Sequence, residues 1–476
     1  MSQVLSMETP RLRTPVIIPI DTPTLGDRSY LAHDGLVGVV VDPQRDIDRV
    51  VALAERERVS ITHVFETHIH NDYVTGGLAL ARVTGASYFV NSADDVSFDR
   101  TPVSGGDVVE VSPTMRVRAI ATPGHTYTHL SYALETATTP GAAFEAVGVF
   151  TGGSLLFGAT GRPDLLGQEH THDLVHHQFT SAHRLADELP DHTHVLPTHG
   201  FGSFCSAGST GEATASTIGS TIGSESRLNP ALTQAEDRWV ADTLAGLDAH
   251  PAYYVHMAPA NRAGPAAPDL SAPAVADTDT LATRIAAGEW VVDLRSRVAF
   301  AAGHVTGTLN FGLDDQFATY LGWLIPWGTP LTLLGDSPDQ VAAAQRELVR
   351  IGIDRLEGAA TGTPDQWTDR PLGRFERARF ADLAQVRHHR RVAVLDVRRV
   401  NEFTTGHLDG AVNIPLHELL ARIDDVPAGE VWVHCAAGYR ASVAASVLAA
   451  RGVLVVAVDD SFDDNAAASG LSLTAA

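Results

Sequence analysis

Two sets of side chains in this chain have types and spacings that suit chemistry. The first is Val431-Trp-Val-His-Cys435-Ala-Ala-Gly-Tyr-Arg440-Ala-Ser. An apolar strand ends at Cys435, and the helix-forming run ASVAASVLAARG begins just after Arg440. The loop between them places Cys435 at a helix N-terminus, where backbone N–H groups and the helix dipole stabilise an anion. A thiolate is the nucleophilic form of cysteine. Arg440 adds a fixed positive charge for an anionic sulfur donor or product. The second set is His68-Ile-His70-Asn-Asp72-Tyr73 after a strand, joined by Pro123-Gly-His125-Thr and Pro197-Thr-His199-Gly. In an H-x-H-x-D loop alternate side chains converge on one point, with nitrogen and oxygen donors that suit a metal.

Cysteine, four residues and arginine resemble the active-site loop of rhodanese sulfurtransferases, and Asp396-x-Arg398 and Gly406-His407 fit that family too. The resemblance implies that Cys435 accepts sulfane sulfur as a persulfide and passes it to a thiophile. Dual-specificity phosphatases use a loop one residue longer. The spaced histidines resemble the metallo-β-lactamase fold. Thr151-Gly-Gly-Ser, Gly161-Arg162-Pro163-Asp164, His199-Gly-Phe-Gly-Ser-Phe-Cys205 and Ser216-Thr-Ile-Gly219 resemble its persulfide dioxygenase branch, in which fusion to two rhodanese repeats occurs. That branch holds one non-haem iron with two histidines and an aspartate. By resemblance the histidines are His68 and His125.

This chain departs from the pattern at Gly153, which stands where the family carries the aspartate. Tyr73 stands where the wider superfamily has a further histidine. Three outcomes remain open. His70 or Asp72 takes over as third ligand, giving for example His68, His70 and His125. Or the site holds metal with extra water, or it holds none. Zinc is the alternative ion. Cys205, six residues after His199, reads either as a small buried hydrophobe or as a thiol that holds persulfide beside the metal. Arg162, Asp164 and His199 are assigned to substrate binding by resemblance. The partners implied are a low-molecular-weight thiol persulfide, sulfite or thiosulfate. Two rival readings are a degenerate metal domain that only presents persulfide to the rhodanese, and a zinc hydrolase.

These loops need elements to hold them. The runs Gly38 to Asp42 and Ile61 to Thr67 read as strands, with helical spacing from Asp46 to Arg58 between them. Strand–helix alternation predicts an α/β layer architecture. The resemblances imply a metallo-β-lactamase-like αββα sandwich over 1–257, then two rhodanese-like α/β domains. The repeat is visible directly. Asp293, Arg295, Phe300, Gly303, His304, Gly307 and Asn310 recur 103 residues later as Asp396, Arg398, Phe403, Gly406, His407, Gly410 and Asn413. A period of that length predicts whole domains, here 279–370 and 375–476, not solenoid units. In the first copy Gly335 replaces the nucleophile and Gln340 the arginine, so it reads as structural, a spacer or an interaction platform, without sulfur chemistry. Residues 258–278, rich in Pro and Ala, read as a linker. Ala207 to Ser226 reads as an extended loop. His170, His172, His176 and His177 read as solvated on a polar helix, and His192 and His194 as surface residues.

Composition narrows the function classes. The chain has 476 residues, 44% hydrophobic and 19% charged, enough for sizeable cores. A net charge of −23 repels phosphate backbones and argues against nucleic-acid binding. Two cysteines make no disulfide framework and predict a reducing, cytoplasmic setting. The N-terminus lacks the basic start and long apolar run of a signal peptide, and no stretch of about 18 apolar residues predicts a membrane span. Assembly into a homo-oligomer is left open.

Overall fold

A computed structural model describes residues 15–207, 219–314 and 316–475. They divide into two compact units. One comprises the chain up to His250 with Tyr254–Pro268; the other comprises Pro251–Tyr253 with Asp269 onward.

The first unit is built on two sheets. One has six strands in sequence order: Val16–Thr22, Asp27–His33, Val37–Val41, Ser60–Phe65, Ser87–Asn91 and Thr101–Val103. The other has five, in the order His194–Pro197, Glu145–Gly152, Leu130–Thr136, Met115–Ala121 and Val108–Ser112. Strand side chains alternate between faces, and the run Val39-Val40-Val41 is apolar on both because both faces are buried. Val39 and Val41 join Phe65 and Phe89 against Met115, Tyr132 and Phe150 of the second sheet. Val40 turns outward, under the helices Asp48–Glu57 and Gly77–Thr84. The helix Gln168–Glu188 covers the second sheet through Val175, Ala182 and Leu185. The order is therefore helix, sheet, sheet, helix, the sandwich expected.

The helix foreseen from Asp46 to Arg58 runs Asp48–Glu57 and ends on Arg58 at φ 59°. Two sequence readings need correction. The segment 258–278 is not wholly linker. The helix Tyr254–Ala263 continues into it, with Met257, Ala258 and Asn261 buried. Pro and Ala composition hid an apolar face. The loop drawn from Ala207 to Ser226 ends early, since Ile222–Leu228 is a helix whose first turn is capped by the Thr221 side chain. Ser216, Thr217 and Ile218 of the fourth motif lie outside the described residues.

The second unit holds both repeats. The first forms a parallel sheet in the order Leu309–Asn310, Trp290–Asp293, Leu331–Gly335, Leu356–Thr361. The second forms Glu376–Ala378, Val455–Val458, Val431–His434, Ala393–Asp396, Val412–Asn413, also parallel. The repeated residues build the same bonds twice. Arg295 and Arg398 pair with Asp293 and Asp396 at 2.6 Å. His304 and His407 donate Nδ1–H to the carbonyls of Phe300 and Phe403. Asn310 Nδ2 donates to the carbonyls of Asp293 and Arg295, and Asn413 Nδ2 donates to those of Asp396 and Arg398.

Of the two structural readings of the first copy, the interaction platform fits its contacts with the second. Its helix Phe317–Leu324 is buried at all eight positions. Trp323 stacks on His417 at 4.6 Å, and Tyr320 lies 6.0 Å from Tyr439. The Asn310 amide donates to Ser446 Oγ of the second copy. The two copies therefore share an apolar and hydrogen-bonded face, and neither is free-standing in this unit.

Candidate metal centre and cysteine loop

The His68–Asp72 loop leaves the end of strand Ser60–Phe65 between the two sheets. Asn261 holds its backbone: Nδ2 donates to the carbonyls of His70 and Tyr73 at 2.9 Å each, and Oδ1 accepts from Thr75 N. The stretch read as linker thus fastens the metal loop. His125 follows the strand Met115–Ala121, and His199 follows His194–Pro197. All four histidines and Asp72 are buried.

The outer nitrogen of each ring is tied, which leaves the other nitrogen for the centre. Thr67 Oγ1 donates to Asp42 at 2.7 Å and accepts from His68 Nδ1 at 2.9 Å. His70 Nε2 meets the Tyr73 hydroxyl at 3.0 Å, Glu66 at 3.2 Å and Asp42 at 3.3 Å, while its Nδ1 has no hydrogen-bond partner. His125 Nδ1 donates to the Arg162 carbonyl at 2.8 Å, and its Nε2 is unpartnered. His199 Nδ1 meets Asp27 at 2.9 Å. His199 Nε2 faces His68 Nε2 at 3.5 Å. Two lone pairs at that distance repel, so a proton or a metal belongs between them. Neither oxygen of buried Asp72 is hydrogen-bonded, and one lies 3.2 Å from His199 Nδ1. Ligand atoms of His68, His70 and His199 lie within 4.8 Å of one another, as do those of His125, His199 and Cys205. Orphaned inward nitrogens and a bare carboxylate fit a divalent metal.

The electrostatics divide the four histidines. Burial, with the neighbouring histidines, pushes His68 well below its usual range and His125 down to about 3, so both are neutral and free to accept a metal. Burial opposes charge on His70, but Asp42 and Glu66 outweigh it and raise it to about 9, so a metal there would displace a proton. Burial also opposes charge on His199, but Asp72 and Asp27 outweigh it and raise it to about 10. Burial lifts Asp27.

The structure places the predicted residues unevenly. His68, His70, Asp72 and His125 come together, and His199, assigned to substrate, joins them. Arg162 and Asp164, also assigned to substrate, pair with each other. Arg162 is 4% exposed, grips Asp164 through Nε and Nη2, and donates to the carbonyls of Phe204 and Asp248. Its own carbonyl fixes His125. Asp27, Asp42, Glu66 and His129 went unremarked in the sequence. Asp42 carried a signal, a carboxylate ending the otherwise apolar run GVVVD. His129 is no ligand. Its Nδ1 bonds Thr122, and its Nε2 accepts from Gly153 N. A cavity of about 380 Å³ beside the centre is lined by Ile69, Asn71, Asp94, Thr126, Tyr127 and Arg262 among others.

Gly153 is not a gap awaiting a carboxylate. A Cβ there would lie 2.3 Å from His125 Cδ2. The imidazole has taken the space. Gly153→Asp is therefore expected to displace His125 and lower the bound metal per chain, rather than complete a triad. Metal analysis of the two proteins side by side checks this, and higher metal content in the variant would refute it.

In the second unit, Cys435 follows the strand Val431–His434 and is buried. Helix Tyr439–Ala450 starts two residues earlier than the sequence suggested, on Gly438 at φ 98°, a conformation glycine allows freely. Gly438 N–H donates to Cys435 Sγ at 3.1 Å. Arg440 is not a spare charge. Its two terminal nitrogens hold Glu402 at 2.6 and 2.7 Å. In the first copy Gln340 Oε1 accepts from Asp336 N at 2.7 Å and would sit 3.0 Å from a Cβ at Gly335, so the corresponding loop is filled by its own side chain.

Glu402 offers a pH test. Burial favours its neutral form, but Arg440 and Arg399 outweigh burial and take it from 4.5 to about 2. A lowered folded-state pKa stabilises the protein above the unfolded value and loses that effect as pH falls through the folded one. The stability gap between wild type and Glu402→Gln is expected to be constant at neutral pH and to close as pH falls from 4.5 toward 2. Denaturant titrations across that range measure it. A gap that widens in acid would contradict the pairing.

Residues 380–468 match the rhodanese-like domain family. Over 166 residues the chain is 30% identical to a hydroxyacylglutathione hydrolase of a Polaromonas species, covering 34% of this chain and 57% of that one. It is 33% identical over 144 residues to a cytoplasmic hydroxyacylglutathione hydrolase of Arabidopsis thaliana, covering 29% and 54%. The chain thus spans about half the length of the curated relatives it matches. A crystal structure of a metallo-beta-lactamase from Staphylococcus aureus is similar at 26% identity and a TM-score of 0.64, covering 74% of this chain and 100% of that one. Among the described residues no helix is long and apolar enough to cross a membrane.

Proposed function

We propose, for a chain that joins a metallo-β-lactamase/glyoxalase II-like fold to a C-terminal rhodanese-like domain, that the first unit oxidises a small persulfide and that Cys435 moves sulfane sulfur. The observation that carries this is the set of inward nitrogens on His68, His70, His125 and His199, in one chain with a thiol held by a loop N–H. The first reaction is RSSH + O2 + H2O → RSH + H2SO3. His68, His70, His125 and His199 would hold the metal, iron in this reading, which would supply the redox chemistry that activates O2 toward the substrate sulfur. The chain's residues fix the imidazole tautomers, exclude water from the buried side and leave the cavity at Asn71 and Thr126 as the approach. Asn71, Tyr127, Arg262 and the carboxylates Asp94 and Asp95 at its wall suit a polar thiol carrier with groups of both charges.

At the second site the Cys435 thiolate attacks the outer sulfur of thiosulfate. The S–S bond breaks, sulfite leaves, and a cysteine persulfide remains. A thiophile then takes the outer sulfur and restores the thiolate. The Gly438 N–H steadies the negative sulfur in both states. Two unpaired cysteines suit a reducing cytoplasm.

A second reading is thioester hydrolysis, favoured by Gly153 leaving a histidine-rich donor set and by the curated relatives' names. Oxygen consumption with glutathione persulfide and loss of thioester absorbance with S-lactoylglutathione separate the two. Uptake of about one O2 per persulfide supports the oxygenase. Hydrolysis without uptake replaces it with the hydrolase. Sulfur transfer with neither leaves the first unit as a persulfide-binding module.

A further inference from the structure

We infer that Cys205 is a thiolate ligand of the centre formed by His125 and His199, taking the coordination place that position 153 does not fill. The inference rests on the metal-centre reading above and extends it to a residue outside the histidine set.

One short strand, Thr160–Gly161, organises the site. Gly161 N–H donates to the Gly153 carbonyl at 2.8 Å. The next residue, Arg162, accepts from His125 Nδ1 on its carbonyl and donates its N–H to the Cys205 carbonyl at 2.8 Å. Ser206–Ala207 pairs with the same strand. Gly153, His125 and Cys205 are therefore fastened to three consecutive peptide groups.

The space beside Gly153 belongs to the His125 ring, so no side chain enters the centre from there. Ligand atoms of His125, His199 and Cys205 lie within 4.8 Å of one another. An independent observation points to a missing partner. His125 is fully buried, its Nδ1 is committed to Arg162, and its Nε2 has no hydrogen-bond partner. A cysteine that merely filled a core would sit among aliphatic side chains. This one lies beside two imidazoles and the Tyr254 hydroxyl, and burial, Asp72 and Asp27 hold its thiol protonated until a metal replaces the proton.

Thiolate with imidazole selects borderline ions such as Zn2+, Co2+ or Fe2+ over Mg2+ or Ca2+. On binding, the thiol proton passes to solvent and one sulfur–metal bond forms, with no change of oxidation state.

The test uses the full chain carrying Cys435→Ser, so that Cys205 is the remaining thiol. After chelation the protein is loaded with Co2+. A sulfur-to-cobalt charge-transfer band is expected in the near ultraviolet, beside the visible bands of bound cobalt. Adding Cys205→Ala, or Cys205→Ser as a bulkier alternative, is expected to remove the charge-transfer band, keep the visible bands, and weaken cobalt binding about tenfold or more. Circular dichroism verifies that each variant is folded. Visible bands without a charge-transfer band in the parent, or a charge-transfer band that survives in either Cys205 variant, overturns the assignment and leaves the metal centre standing. A folded parent that takes up no cobalt overturns the metal-centre reading itself, and this inference with it.

Discussion

Replacing Cys435 with serine is expected to drop sulfur transfer from thiosulfate to cyanide by roughly 10³-fold or more, to background. The reason is chemical rather than structural. Serine is nearly the same size, so the loop and the Gly438 N–H contact can persist. Its hydroxyl stays protonated near neutral pH and is no nucleophile there. The oxygen is also far less able to form and break a bond to sulfur. Steady-state rates for wild type and variant, at matched thermal stability, decide the matter. Appreciable transfer in a folded Cys435→Ser protein would move the reaction to Cys205.

The second large effect concerns stability. Asp42 is fully buried and accepts from Thr67 N at 2.7 Å, Thr67 Oγ1 at 2.7 Å and Thr198 Oγ1, with His70 Nε2 3.3 Å away. Asp42→Ala is expected to cost about 3–5 kcal/mol, because it strands a buried imidazole, an amide and two hydroxyls. It also puts alanine at φ 50°, where aspartate is tolerated better. Asp42→Asn keeps the backbone preference while removing the charge and one acceptor oxygen, so it separates the backbone cause from the polar one. His68 and His70 both lean on Asp42, so metal affinity is expected to fall about 10–100-fold with either change. Urea unfolding and metal titration measure the two effects. A loss below about 1 kcal/mol in Asp42→Ala would mean that water or Glu66 replaces the carboxylate.

The donor residues were legible in the sequence because their chemistry is local. H-x-H-x-D, Pro-Gly-His and the cysteine loop each sit where a strand ends, and that is a property of a dozen residues. The repeat was legible for the same reason. Its seven matched positions build a local network of arginine, histidine and asparagine around the turn after each first strand.

What the sequence could not reach depends on residues far apart in the chain. The start of the Pro- and Ala-rich stretch belongs to a helix that Asn261 fastens to backbone some 190 positions earlier. Arg440 is charge-paired because Glu402, from another loop, meets it. Gly153 looked like a lost ligand, yet whether a carboxylate fits there is a steric question, and the ring of His125 answers it. Spacing in a motif determines which donors can converge. Only tertiary packing decides which nitrogen faces inward, which charge is already paired and which volume is already filled, because each is set by neighbours that the chain brings together on folding.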